Sequence, residues 1–306
     1  MTSLRNIAIS HGFEPAYPGP DGNEQHVPDE VLRELVAIFE LTSQAERAPA
    51  GIAEALAEPG PPRCFVPEPL RDARIWGVTT QLPALVSRRN LGMGDFADLA
   101  QLARIVADEG GDFLGVNPLH AMFWSDPARI SPFSPSNREL LDARFLALDW
   151  IEGFDGLTAE EASHAARLHA TPRVQTEAAS ALKDRVLRRI FAGAPMDHGL
   201  ETFISGKEAL RAHAEFETVS AAMVQEGHGA GWMGWPEPFR HRHSDEVAQL
   251  LRENEEELRF HLWLQYQADL QLARVQREAL AAGMRVGLYL DVAVGTAPDG
   301  SATWAD

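Results

Sequence analysis

The pattern of apolar and polar positions predicts three buried strands joined by helical segments. Residues 75–82, 113–117 and 284–291 each predict a strand. The second is nearly all apolar, as is typical of a sheet covered on both faces. Asp95 stands where a helix N-cap is expected. The apolar stripe of that helix would be Phe96, Leu99, Leu102, Ala103 and Val106. Strand, helix and strand within about forty residues predict a βαβ unit with parallel strands.

The first 62 residues have a different pattern and predict a small helical region. A helix opens at Val27-Pro28-Asp29, and a second, shorter one is predicted from Gly51 to Ala57. The breaker run at residues 59–62 follows. The predicted organisation is therefore a helical region at 1–62 and a larger unit at 63–306.

The alternation of strands and helices is interrupted after the second predicted strand. Residues 118–150 are rich in proline and serine and predict a long connection, of a kind that is usually functional. A helical insertion is predicted at about 150–245, with its clearest helices at 173–191 and 206–225. One helix is then expected from Asp245 to Ala282, about 55 Å long at 1.5 Å per residue.

Charge and cysteine content narrow the function classes. Acidic residues outnumber basic ones 45 to 27, which gives a formal charge of −18. A surface this negative repels phosphate backbones and anionic lipids, so nucleic acid and membranes are excluded as expected partners. Cys64 is the single cysteine, which excludes an intrachain disulfide. With no signal-peptide pattern at the start, we expect a cytoplasmic protein.

Two motifs that superficially suggest ligand sites are better explained as loop structure. Gly92-Met-Gly94-Asp95 lacks the remaining residues of a phosphate loop, and a tight turn into a capped helix is the simpler interpretation. His241 and His243 have no further ligand at metal-binding spacing. We therefore interpret the glycine pair as a turn and the two histidines as solvated loop residues.

Candidate site residues stand at strand ends and in the long connection. Asn117 and His120 follow the second strand, Phe133 lies in the connection, and Asp291 ends the third strand. In parallel α/β folds the carboxyl ends of strands are where sites are built. An aromatic face with amide, imidazole and carboxylate groups suits a sugar. Each residue alone could also be structural, with Asn117 and His120 ordering loops and Phe133 filling one.

Several motifs in order carry a family resemblance from about residue 12 onward. They include Trp76-Gly-Val-Thr-Thr-Gln-Leu, Gly111-Asp-Phe-Leu-Gly-Val-Asn-Pro-Leu-His-Ala, Ser131-Pro-Phe-Ser-Pro-Ser, Trp232-Met-Gly-Trp-Pro-Glu and Gly287-Leu-Tyr-Leu-Asp-Val-Ala-Val-Gly. In these motifs the chain resembles the bacterial 4-α-glucanotransferases, the amylomaltases or disproportionating enzymes of glycoside hydrolase family 77.

The resemblance implies a fold, a reaction and a set of binding residues. The fold would be α/β, a (β/α)₈ TIM barrel of which about the first three strands are present, with the helical insertion and the small helical N-terminal region. The reaction would transfer α-1,4-glucan segments between oligosaccharides with retention, without a cofactor. The substrate-binding residues would be Asp291, Phe133, Asn117, His120 and Ser131, with Asp291 supporting the site without covalent chemistry. Phe133 stands where the family usually has tyrosine.

The catalytic motifs of the family are absent from these 306 residues. The nucleophile is expected in an Arg-x-Asp-His motif, yet the single Asp-His pair, Asp197-His198, has Pro195 in place of the arginine. The acid/base and transition-state carboxylates are likewise expected beyond Asp306. We therefore expect an N-terminal portion of the enzyme that is inactive alone.

Two alternatives stay open. One is a non-catalytic glucan-binding or interaction protein derived from the enzyme, and the other is a related α-glucan hydrolase. The expected partners are α-1,4-glucans, together with the missing C-terminal half of the fold or a second copy of the chain.

Overall fold

The computed structural model divides the chain into two compact units, Met1–Val66 and Pro67–Asp306. It describes residues 4–18, 23–45, 67, 70–71, 73–193 and 198–304. The helix expected at 51–57 and the breaker run at 59–62 lie outside these described residues.

The first unit is built on two helices and a short strand pair. Helices α1 (Leu4–Ser10) and α2 (Asp29–Ala45) pack through Ala8, Leu32 and Val36. Strands β1 (Ala16–Pro18) and β2 (Glu24–His26) pair antiparallel between them in the sequence. The start of α2 at Asp29 agrees with the predicted helix opening.

The three predicted strands form one parallel sheet in the second unit. Strands β3 (Gly77–Thr80), β4 (Phe113–Val116) and β7 (Gly287–Leu290) lie in the order β3-β4-β7. Their registers align Thr80, Val116 and Leu290 at the carboxyl edge. The segments that follow the three strands therefore all leave the sheet at the same edge.

Only one face of this sheet is covered by described residues, whereas the apolar strands predicted cover on both. Leu114, Val116 and Leu288 point toward the helices and join the main core cluster. The alternate positions point the other way. There Tyr289 is 62% exposed, with its ring edge-on to Phe113 at 6.1 Å between centroids. The expectation of two covered faces is wrong for the described part of the chain.

Helix α3 (Phe96–Asp108) crosses between β3 and β4 and begins as the sequence predicts. The Asp95 carboxylate accepts from the Ala97 amide at 3.0 Å and from the Asp98 amide at 3.2 Å. Asp98 returns the contact by accepting from the Asp95 amide at 3.1 Å, which completes a capping box. Leu99 on the inner side of the helix is fully buried.

The long connection is more ordered than its composition predicts. Strands β5 (His120–Ala121) and β6 (Asn137–Leu141) pair antiparallel with a register shift between His120 and Ala121. Two short 3₁₀ turns follow at Ala143–Phe145 and Leu148–Trp150. Their residues join the main core, so the connection is part of the packed unit. We refer to β5, β6 and the loop between them as the hairpin.

The region after the hairpin is helical, as predicted. It contains α4 (Ala159–His169), α5 (Thr176–Gly193), α6 (His198–Ile204) and α7 (Glu208–Gln225). Helix α7 packs against the long helix α9 (Glu255–Ala281) and against the short helix α10 (Ser301–Trp304). Phe216, Trp235 and Trp304 pack together there in a hydrophobic cluster that is separate from the main core.

The single helix predicted over residues 245–282 is wrong, because two helices occupy this stretch. Helix α8 (Asp245–Glu253) ends at Asn254, and α9 (Glu255–Ala281) starts immediately after it. Asn254 has φ −122° and ψ 39°, and its side-chain amide donates to the Leu250 carbonyl at 2.9 Å. The Asn254 backbone amide also donates to this carbonyl, at 3.0 Å, so Asn254 closes α8, and its non-helical φ and ψ separate α8 from α9.

Candidate functional site

A cavity of about 290 Å³ opens beside the carboxyl ends of β3 and β4. Asn117 and His120, both predicted from the sequence, line it. The other walls come from the segment after β3, the hairpin, the 3₁₀ turn after it and the start of α5. These residues are Gln81, Pro83, Met93, Pro118, Met122, Ile130, Pro132, Asp142, Arg144, Phe145, Val174 and Thr176.

Asn117 links the segments that leave β3 and β4. Its side-chain oxygen accepts from the Leu82 amide at 2.8 Å, and its Nδ2 donates to the Pro118 carbonyl at 3.0 Å. A primary amide has two donor hydrogens and two acceptor lone pairs, so one of each is left for a ligand. Asn117 therefore orders the loops and still presents polar groups to the cavity.

His120 joins the hairpin to the segment that follows β7. Its Nε2 accepts from the Ala293 amide at 3.0 Å. Burial lowers the pKa of His120, the Asp291 carboxylate raises it, and the Arg138 guanidinium lowers it, with the net shift downward. The ring is therefore neutral near pH 7.

Asp291 continues the sheet by one residue past β7. Its amide donates to the Val116 carbonyl at 3.1 Å, in line with the β4–β7 ladder. Its side chain is exposed, and its charge acts on His120. Asp291 is not among the described residues that line the cavity, and it lies two residues before Ala293, which contacts His120.

Ser131 and Phe133 lie in the loop of the hairpin and are both exposed. The Phe133 ring is 63% exposed, and the Ser131 carbonyl accepts from the Ser134 amide at 3.1 Å in a turn. Neither side chain lines the cavity among the described residues, whereas their neighbours Ile130 and Pro132 do. The structure thus brings Asn117 and His120 together and puts Ser131 and Phe133 on the adjoining loop.

A buried ion pair at the cavity was missed by the sequence analysis. Arg144 donates through Nε to both Asp142 carboxylate oxygens at 2.9 Å and through Nη2 to Oδ2 at 2.6 Å. Burial lowers the pKa of Arg144, but the Asp142 charge and hydrogen bonds raise it, and the net shift is upward. The pair is charged and fixed.

Lys183 of α5 holds the turn that carries this pair. Its ammonium is fully enclosed and donates to the Arg144 carbonyl at 2.7 Å and the Leu146 carbonyl at 2.8 Å. No local sequence signal pairs Lys183 with a turn about forty residues earlier. Gln81, by contrast, follows β3 directly, so the strand-end rule applied to all three strands would have found it.

The arrangement suits a neutral, hydroxyl-rich ligand better than an ion. Amide, imidazole and carboxylate groups stand beside apolar walls, as in pockets that orient a ligand through a few polar contacts. Among the described residues no cluster of three or more histidine, cysteine, aspartate or glutamate side chains could hold a metal ion. Within the same residues, no helix has the length and apolar character needed to cross a membrane.

Curated relatives match most of this chain but only part of themselves. The 4-alpha-glucanotransferase of Mycobacterium tuberculosis strain H37Rv is 31% identical over 256 residues, 78% of this chain and 35% of the relative. That of Haemophilus influenzae is 28% identical over 275 residues, 80% of this chain and 38% of the relative. The chain thus spans little more than a third of the length of these relatives.

Two solved amylomaltase structures share the α/β fold. The enzyme of Corynebacterium glutamicum superposes with a TM-score of 0.59 at 29% identity, covering 74% of this chain and 31% of that one. The amylomaltase of Streptococcus agalactiae, solved in complex with acarbose, gives a TM-score of 0.61 at 17% identity, covering 76% and 46%.

The family assignment rests on a match to more than half of the chain. The family model described as 4-alpha-glucanotransferase, which defines glycoside hydrolase family 77, matches residues 80–306. This span contains β4, β7, the hairpin and all described residues that line the cavity, and it begins at Thr80, the last residue of β3. The chain therefore belongs to the 4-α-glucanotransferase family.

Proposed function

We propose that this chain carries glucan-binding groups of a 4-α-glucanotransferase and binds α-1,4-linked glucans at the carboxyl edge of the β3-β4-β7 sheet. The observation that carries the proposal is the convergence of Asn117, His120 and Asp291 at that edge, beside a cavity, in a member of this family. The Streptococcus agalactiae amylomaltase was solved with acarbose, an oligosaccharide analogue, which supports a sugar as ligand.

The roles of the side chains follow from their chemistry. The exposed Phe133 ring offers an apolar face on which a pyranose can stack. The Asp291 carboxylate and the Ser131 hydroxyl can bond sugar hydroxyls at the rim. Asn117 and His120 shape the cavity, and Asn117 presents its remaining amide donor and acceptor to it. A cavity of about 290 Å³ is at the lower end of ligand pockets, about 300–1,000 Å³, so it takes only part of a glucan.

Glucan binding and glucan transfer are separate parts of the proposal. A retaining mechanism requires a nucleophile and an acid/base carboxyl about 5–5.5 Å apart. The family motifs that carry these groups do not occur in the 306 residues. We therefore propose that these residues bind glucan without transferring it on their own, and a cytoplasmic location stays a prediction from the sequence.

The uncovered sheet face bears on the expected fold and partners. Tyr289 and Phe113 lie on the face that no described element covers. We propose that further strands of a (β/α)₈ barrel cover this face in a complete transferase, and that a second copy of the chain covers it otherwise. In either case the apolar face of the sheet becomes buried and is no longer exposed to water.

Calorimetric titration with maltoheptaose tests the binding proposal. We expect saturable binding of maltoheptaose and no binding of cellohexaose, whose glucose units are β-1,4-linked. Phe133→Ala should weaken maltoheptaose binding about tenfold or more, because the stacking face is removed. Equal affinity for the two sugars, or no binding of either, would refute glucan recognition.

Incubation with maltotriose tests the transfer part. We expect chromatography to show unchanged maltotriose after prolonged incubation with the purified chain. The appearance of glucose together with longer maltooligosaccharides would show that these residues are catalytically sufficient and would overturn this part of the proposal.

A further inference from the structure

The segment that starts at Asp291 is held by the hairpin at two consecutive residues. The Ala293 amide donates to His120 Nε2 at 3.0 Å. Arg138 Nη1 donates to the Val294 carbonyl at 2.8 Å. Ala293 itself is buried, although Val292 and Val294 on either side are exposed. The anchored position is therefore Ala293, two residues beyond Asp291.

The contact with Ala293 requires one protonation state of His120. A backbone amide can only donate, so Nε2 must present its lone pair and the ring proton must be on Nδ1. If the ring gained a second proton, an N–H would face the Ala293 N–H and the bond would be lost. Burial is the largest influence on His120, and it lowers the pKa of the ring, which favours the neutral form.

The groups around the ring determine what happens after protonation. Asp291 faces it from the segment after β7, and Arg138 faces it from β6. Asp142 and Arg144 line the same cavity but neutralise each other in their ion pair. A protonated ring would repel Arg138 and attract Asp291. Repulsion of Arg138, which holds the Val294 carbonyl, would loosen the segment, and attraction would draw the Asp291 carboxylate from its place toward the ring.

We propose that neutral His120 is a positioning residue that sets the place of Asp291 by anchoring Ala293, and that protonation of the ring releases this anchor. The effect of this anchor on ligand affinity rests on the proposed binding of glucan by Asp291. His120 thus acts through the backbone of the neighbouring segment, and no direct contact between its Nε2 and the sugar is required.

Hydrogen exchange tests the anchor without any ligand. Mass spectrometry would follow the amide of Ala293 in peptides covering residues 290–296 from pH 5 to pH 8, after correction for intrinsic exchange rates. In the unsubstituted protein we expect protection at pH 7.5 that is lost toward pH 5. His120→Gln retains an acceptor near the position of Nε2 and does not titrate, so its protection should persist at both pH values. His120→Leu should show none.

The anchor would be refuted by either of two results. One is equal protection of Ala293 at pH 5 and pH 7.5 in the unsubstituted protein. The other is a His120→Leu variant that is as protected as the unsubstituted protein, because a hydrocarbon side chain cannot accept the bond.

Maltoheptaose titrations on the same proteins separate this inference from the proposed function. We expect about a tenfold loss of affinity between pH 7.5 and pH 5 for the unsubstituted protein and a flat profile for His120→Gln. No binding at any pH, with His120-dependent protection intact, would overturn the function and uphold the anchor. If maltoheptaose binds but the protection of Ala293 does not depend on His120, the proposed function is upheld and the anchor is overturned.

Discussion

At the scale of single residues, Glu217 is a carboxyl group that the protein encloses almost completely. It lies fully buried on α7, and its Oε2 accepts from the Trp124 amide at 3.1 Å. Burial raises the pKa of Glu217 to about 8, and the nearby Asp142 and Glu257 charges add to the rise. Arg144 and the Trp124 bond oppose it. The carboxyl is therefore protonated near neutral pH, and it fixes the hairpin to α7.

This environment predicts a pH-dependent stability. The pKa of Glu217 is higher in the folded than in the unfolded state. The resulting contribution to folding stability is therefore full below about pH 4.5 and is lost as pH rises toward 8. Glu217→Gln keeps the acceptor for Trp124 and removes the titration. We expect it to unfold with a free energy a few kcal/mol higher than the unsubstituted protein at pH 9. The two should be nearly equal at pH 5.

Urea unfolding followed by circular dichroism at the two pH values measures this difference. Glu226→Gln, at an exposed position on the C-cap of the same helix, is the matched control and should change neither value. A constant difference between Glu217→Gln and the unsubstituted protein from pH 5 to pH 9 would contradict the account.

At the scale of elements, the sequence predicts what is determined locally. The three parallel strands and the capped start of α3 are confirmed, because strand hydrophobicity and the Asp95 cap are local signals. The hairpin was missed because its pairing of His120 with Leu141 is nonlocal. The break at Asn254 was missed because apolar spacing continues across it.

Asp95 both caps α3 and forms an ion pair with Arg89, and two variants of Asp95 separate these roles. Arg89 donates to both Asp95 oxygens, at 2.5 and 2.6 Å. Asp95→Asn removes the charge and retains an N-cap acceptor, whereas Asp95→Ala removes both. We expect Asp95→Ala to be less stable than Asp95→Asn by about 1–2 kcal/mol in urea unfolding. Equal stability of the two variants would show that the cap contributes nothing.

At the scale of the whole molecule, strand ends could be predicted and the cavity could not. Asn117, His120 and Asp291 follow from the rule that sites form at the carboxyl ends of strands. The Lys183 contact joins elements that are distant in the sequence, and the local Asp142–Arg144 pair is buried by elements packed around its turn. Two opposing whole-molecule effects remain: an exposed apolar sheet face and a net charge of −18.

The balance of these effects predicts self-association that increases with salt. Repulsion between copies is screened over about 10 Å at 0.1 M salt and about 3 Å at 1 M, while apolar burial persists. Sedimentation velocity should therefore show more dimer or larger species at 1 M than at 0.05 M sodium chloride. Tyr289→Ser, at the exposed face, should reduce the association. A monomer at both salt concentrations would argue against a second copy as the cover of this face.

The central claim is that α-1,4-glucan binds at the carboxyl edge of the β3-β4-β7 sheet. A crystal structure of the chain with maltoheptaose tests it most directly. The account predicts sugar density against the Phe133 ring, with a hydroxyl within hydrogen-bonding distance of the Asp291 carboxylate. Well-defined sugar density elsewhere on the chain, with this edge empty, would contradict it.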